Sequence, residues 1–255
     1  MISSEENVKL LIASWKLMTE RFAGSTFERG GGITSAFANI ELPFLNVSVQ
    51  DRPATDETDL RGMLQTMQQR AKACPHHSMI ALCEDWLPRN GQTVAAEEGF
   101  TFALYVTGMA ADELLPARRA LPELEYRRVQ DEATARDLAT INALAYGMPT
   151  EMWEGMFNLQ LWQPDSYGYV GYKNGRAVSC AAALPVDGAM YIALVATLPE
   201  EHGKGYAEAV MRKAIEQGQI EMGKRRIILH ASDMGHPLYR SMGFDTGGRI
   251  PLFSA

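Results

Sequence analysis

Two glycines one residue apart, Gly203 and Gly205, stand directly before a stretch that reads as unbroken helix, YAEAVMRKAIEQG. Glycine costs about 1 kcal/mol relative to alanine inside a helix, so a glycine pair at a helix start suggests that the backbone itself is in use. A helix N-terminus carries unpaired N–H groups and a partial positive charge, and residues without a Cβ let an anion come close to them. The chemistry this spacing permits is phosphate binding; a plain strand-to-helix turn is the alternative the local sequence leaves open. The loop is not a Walker A motif, which needs Gly, four residues, then Gly-Lys-Ser/Thr, and it lacks the three spaced glycines of a dinucleotide fingerprint.

The elements that would position this loop are legible from Leu124 onward. LEYRRV reads as a strand, and DEATARDLATINALAYG as a helix with acids in its first turn and Gly147 past its end. TEMWEGMFNLQLW reads as a second helix entered after Pro149. Asn174-Gly175 and Asp187-Gly188 then separate three apolar runs, a hairpin signal given twice, which predicts three antiparallel strands in a meander. After the glycine loop, Ala207, Val210, Met211, Ala214, Ile215 and Ile220 are expected along one helix face. RRIILHA reads as a buried strand, HPLYRSMG as a short helix closed by Gly243, and FDTGGRIPLF as a final strand or hairpin. The result is a mixed α/β unit of about 130 residues, a normal domain size.

Composition bounds the function. The 255 residues carry 46% hydrophobic and 22% charged residues, ordinary for a globular protein. A net charge of −7 argues against nucleic acid as the main partner, because phosphate backbones need clustered Lys and Arg. The N-terminal stretch has neither the basic flank nor the apolar length of a secretion signal, and no run reaches the roughly 20 apolar residues needed to cross a bilayer. Cys74, Cys83 and Cys180 have no metal-ligand spacing, so no metal is expected, and their sparse, odd count suits a reducing, cytoplasmic compartment.

With this order of elements, residues Leu124 to Phe253 resemble the Gcn5-related N-acetyltransferase (GNAT) superfamily. Its central motif is Arg or Gln, two residues, Gly, one residue, then Gly or Ala. His202-Gly203-Lys204-Gly205-Tyr206-Ala207 fits every position but the first, and Pro199 sits where many members have a proline. A second motif, a Tyr four residues before Gly-Phe, is present as Tyr239 with Gly243-Phe244.

The resemblance implies a GNAT fold, a mostly antiparallel mixed sheet flanked by helices, and acetyl-CoA as cofactor. Its pyrophosphate would lie on residues 202–207, and its pantetheine arm along the strand Tyr191 to Thr197, with Val195, Ala196 and Thr197 nearest. It also implies Tyr239 as the acid that protonates the leaving thiolate, and Tyr191, His230, Ser232 and Asp233 as candidate substrate residues, each with an ordinary structural role as its alternative. Trp153, Phe157 and Trp162 lie where the family often walls its acceptor site, although core packing is the commoner explanation for any one of them. His202 replaces the usual Arg or Gln, which would make any phosphate contact pH-dependent near neutrality; an ordinary surface histidine is the alternative. The strand MYIALVAT lacks the acidic residue that histone-type relatives use as general base, so the base is left open. Cys180, among alanines, reads as a small apolar filler.

The first 120 residues echo the second half of this unit. FANIELPFLNVSVQ suggests strands, DETDLRGMLQTMQQRAKAC a helix, HSMIALC a buried strand, and VAAEEGFTFALYVTGM a short helix, a Gly-Phe pair and a strand. In place of the glycine loop stands QDRPATDETD, whose four acids would repel a pyrophosphate. The expectation is a degenerate, non-catalytic copy over 1–120, or an unrelated α/β lid, with ADELLPARRALPE as linker, and a catalytic domain over 121–255. The function expected is acetyl transfer to a primary amine of a small molecule or peptide by direct attack in a ternary complex. A non-catalytic acyl-CoA-binding module is the alternative, and a Fem-type aminoacyltransferase a weaker one, disfavoured by the acidic balance and the intact loop.

Overall fold

A computed structural model describes every residue but Met1, Asn158 and Lys224. Its first half runs α1 (Ser4–Thr19), β1 (Thr26–Gly30), β2 (Ile33–Phe37), β3 (Asn46–Gln50), α2 (Glu57–Ala73), β4 (Met79–Ala81), α3 (Gly91–Glu97) and β5 (Thr101–Ala111). The second half runs β6 (Glu125–Arg128), α4 (Glu132–Tyr146), β7 (Tyr167–Lys173), β8 (Arg176–Val186), β9 (Ala189–Thr197), α5 (Tyr206–Met222), β10 (Ile227–Ser232), α6 (His236–Ser241) and β11 (Asp245–Ser254). The chain forms two compact units: Met1–Ala110 with His230–Pro237 and Asp245–Ala255, and Ala111–Leu229 with Leu238–Phe244.

The two units share one arrangement, an antiparallel meander followed by a parallel crossover. In the first, the strand order is β1-β2-β3-β4-β11-β5: an antiparallel meander, then β4 parallel to β3 through the crossover helix α2. In the second, β7, β8 and β9 form the expected meander, and β10 lies parallel to β9 through α5. Asn174, Gly175, Asp187 and Gly188 all have positive φ, as tight turns between twisted strands require. Both crossover helices are 17 residues long. Phe100 and Phe244, each after a glycine of positive φ, are both buried.

The cores follow from periodicity. Leu60, Met63, Leu64 and Met67 of α2 recur at i, i+3, i+4 and i+7 and are buried with Ile33, Ile80 and Phe253. Each such side chain contributes about 1.5–3 kcal/mol of transfer free energy. In the second unit α5 sits so close to β7 that a Cβ on Gly171 would meet Val210 at 2.6 Å. Met211, Ala214 and Ile215 are buried on that face, but Ile220 is 68% exposed. Five residues past Ile215, it has rotated off the stripe.

One expectation changes. The predicted helix from Thr150, which includes the undescribed Asn158, is a 3-10 stretch, Thr150–Met156. Trp153 and Met156 are its buried residues, three apart, and a three-residue turn stacks that spacing on one side. FDTGGRIPLF is one strand, β11, with a bulge at Gly247–Gly248, and it lies between β4 and β5. A Cβ on Gly247 would come within 2.0 Å of Ile2, so the bulge there requires glycine.

Candidate functional site

The glycine loop sits at the start of α5, inside the second unit. Gly203 and Gly205 both have left-handed φ, 76° and 84°. Nothing lies within 4 Å of where a Cβ on Gly203 would be. Gly205 is the N-cap of α5, and no side chain caps that helix. The first intrahelical bond is Ala209 N–H to Gly205 C=O at 3.2 Å, so the amides of the preceding turn have no helical acceptor. Tyr206 is buried, Ala207 is half-buried, and His202 and Lys204 are exposed. Lys204 donates to Glu201 at 2.6 Å, and that bond raises its pKa. His202 shares a hydrogen bond with the Thr197 carbonyl at 3.0 Å, which directs its ring to the strand end.

Beside the loop, β9 opens. Its parallel ladder with β10 covers only Met190–Ile192 against Ile227–Leu229, and the strand runs five residues further. Ala193, Leu194 and Val195 are partly exposed within a strand whose ends are buried. On the other side the β8–β9 register shifts between Cys180 and Ala182, where Ala196 to Ala193 spans one residue more. Leu194 sits in this bulge at φ 54°, a conformation that costs an L-residue about 1–2 kcal/mol. The Cys180 thiol reaches the Leu194 carbonyl at 3.4 Å, and Asn142 donates to that sulfur at 3.2 Å. Burial pushes the Cys180 thiol pKa well up, consistent with a packing role. Thr197 bonds Ser179 at 2.8 Å, and Ser179 donates to the Ala196 carbonyl at 2.8 Å, which pins the strand end on its β8 side.

Tyr239, on α6, is only 7% exposed. Burial drives its phenol pKa well above the usual tyrosine value, and the nearby Tyr146 and Tyr191 add to the effect. It is therefore a phenol that keeps its proton. Tyr191 is buried on β9. Tyr146, at the end of α4, is 49% exposed and stacks on Trp153 at 6.2 Å. The structure thus brings Tyr239 and Tyr191 together and adds Tyr146, which no spacing in the sequence singles out.

Other candidates have local partners. In the first unit His230 shares a 2.9 Å hydrogen bond with the buried Asn7, and burial lowers its pKa to about 4. Ser232 accepts from Gly235 N–H through both its hydroxyl and its carbonyl, forming a turn in which Asp233 is exposed. Trp162 is buried against Gly168, where a Cβ would meet its ring at 2.2 Å, and Arg136 stacks over Phe157 at 4.4 Å. Sequence reading also missed Arg119, whose guanidinium donates to the Gly203 carbonyl at 3.2 Å.

The equivalent place in the first unit is closed. Asp56 caps α2 by accepting from Asp59 N–H at 2.8 Å. Asp59 is gripped by Arg52 at 2.6 and 2.8 Å, which holds its carboxyl far below the usual range. Gln50, fully buried at the end of β3, accepts the N–H of Cys83 just beyond β4, so its side chain bridges the two strands where β9 and β10 leave an opening. Ala95 stands four residues before Gly99-Phe100, where Tyr239 stands in the second unit.

This repeated topology defines a tandem acetyltransferase fold. Residues 135–244 match the acetyltransferase (GNAT) family, so the chain carries a GNAT domain over that stretch. None of the curated proteins matches it in sequence. Among solved structures, a GCN5-related N-acetyltransferase from Kribbella flavida is 20% identical with a TM-score of 0.69, over 97% of this chain and 95% of that one. Another from Sphaerobacter thermophilus is 15% identical at TM-score 0.56, over 88% and 76%. A tandem GNAT protein from the clavulanic acid biosynthesis pathway is 13% identical at TM-score 0.51, over 100% and 96%. At such identities these likenesses speak to the fold. Among the described residues no helix is long and apolar enough to cross a membrane, and no cluster of His, Cys, Asp and Glu could hold a metal ion.

Proposed function

We propose that the chain transfers the acetyl group of acetyl-CoA to a primary amine of a small molecule or peptide, using one coenzyme site per chain. We assign catalysis to 121–255 and a non-catalytic role to 1–120. The observation that carries this reading is the contrast between the two crossover helices: α5 starts at an uncapped glycine beside an open strand, whereas α2 is capped by Asp56 and its strand pair is bridged by Gln50. The site's features fit the coenzyme. Gly203 has open space where a Cβ would be, and the free amides at Gly205–Ala207 suit a pyrophosphate. Val195, Ala196 and Thr197 lie on the stretch of β9 past the ladder, which offers backbone groups to the amides of pantetheine.

Bound there, acetyl-CoA supplies an activated thioester. A β9 amide polarises the carbonyl under attack by the neutral amine. The Tyr239 hydroxyl gives its proton to the departing sulfur as the C–S bond breaks, and the phenolate recovers a proton from the newly acylated nitrogen through solvent. The raised pKa of Tyr239 suits a proton donor that must stay protonated while waiting. Titration calorimetry with CoA tests the reading: one equivalent per chain is expected, and two equivalents or none would overturn it.

A further inference from the structure

An anion site needs a cation whose charge is not already spent, and most cations around the glycine loop are. Lys204 is held by Glu201, Arg176 by Glu200, and Arg212 by Glu208. His202, which stands where the family motif has Arg or Gln, is turned to the Thr197 carbonyl. Arg119 differs. It is exposed, its partner is the neutral carbonyl of Gly203, and among the described residues no carboxylate pairs with it. Its Nη2 and Nε lie 3.5 and 3.8 Å from where a Cβ on Gly205 would be, directly over the N-cap of α5. One of its five N–H groups is used, and a planar guanidinium suits bidentate contact with phosphate oxygens.

The segment that carries Arg119 is fastened. Leu115 N–H donates to the Met242 carbonyl at 2.9 Å, and the Leu115 carbonyl accepts from Arg212 at 2.7 Å. Pro122 packs 3.5 Å from the same Cβ position on Gly205. The segment between β5 and β6 therefore delivers a guanidinium to the loop instead of merely joining two halves.

We propose that Arg119 binds the pyrophosphate of the coenzyme, supplying the charge that His202 does not. This rests on the coenzyme site assigned above. The test is calorimetry on the full chain with CoA, dephospho-CoA and pantetheine, comparing wild type with Arg119→Gln and Arg119→Lys. Loss of a charge-assisted contact should weaken CoA and dephospho-CoA alike by about tenfold in Arg119→Gln, less in Arg119→Lys, with pantetheine unchanged. Wild-type affinity for CoA in Arg119→Gln would overturn the proposal. So would an equal loss for pantetheine, which would make Arg119 a prop of the loop, or an effect confined to CoA, which would place it on the 3′-phosphate. Failure of the wild type to bind CoA would instead sink the coenzyme site itself.

Discussion

Replacing Gly205 by glutamate separates the backbone role of this residue from its role in binding. At φ 84° any L-residue is strained by about 1–2 kcal/mol. The new Cβ meets Arg119 and Pro122 at 3.5 Å, ordinary contact, so no further clash adds to the strain. For a chain of this size each kcal/mol lowers Tm by about 2–4 °C, so Gly205→Glu should fold and melt about 2–8 °C lower. A carboxylate about 5 Å from a pyrophosphate repels each of its charges by about 1–3 kcal/mol between bulk and near-surface dielectric values. With two charges affected, CoA affinity should therefore fall by about 30-fold or more. Gly205→Ala carries the strain without the charge, and should share the melting loss while keeping CoA affinity within about tenfold. Thermal unfolding and calorimetry on both variants measure the two effects. Wild-type CoA affinity in Gly205→Glu, or equal losses in the two variants, would refute the phosphate-loop reasoning.

Other expectations follow from the same geometry. Tyr239→Phe should lower kcat by about 10²-fold with acetyl-CoA affinity unchanged, and steady-state kinetics showing wild-type turnover would reduce Tyr239 to packing. Because burial raises its pKa, Tyr239 stays protonated through and above the normal tyrosine range; kcat/KM should rise as the amine loses its proton and show no falling limb below about pH 10. His230 is held neutral in the folded state down to about pH 4, while the unfolded chain takes up that proton near its ordinary value of about 6.5. Stability should thus fall as pH drops from about 6.5 to 4, by up to about 3 kcal/mol, a loss that His230→Gln should lessen in chemical denaturation. A fragment of residues 121–255 leaves β11 without β4 and β5, and should be insoluble or aggregate on expression; a soluble, active fragment would contradict this.

Features encoded by neighbouring residues were legible in the sequence. Asn174-Gly175 and Asp187-Gly188 announced the meander, the glycine pair announced the start of α5, and the run from Asp51 to Asp59 announced that α2 starts on acids and not on a glycine loop. Features set by distant partners were not. The insertion of β11 between β4 and β5 joins residues more than 130 positions apart, and its alternating pattern suits several neighbours equally. Arg119 lies in a segment without periodicity, so only its hydrogen bond to Gly203 marks it out. The Leu194 bulge is likewise invisible, because leucine is no indicator of positive φ.

Incubating the protein with acetyl-CoA and a broad panel of amines decides whether acetyl is transferred at the single site. Free CoA thiol and acetylated amine would be followed together, the latter by mass spectrometry. Thiol release should depend on the amine, be matched one-for-one by acetylated product, and be strongly reduced in Tyr239→Phe. Stoichiometric CoA binding with no amine-dependent release across the panel would contradict acetyl transfer, and would make the chain an acyl-CoA-binding protein built on an acetyltransferase fold.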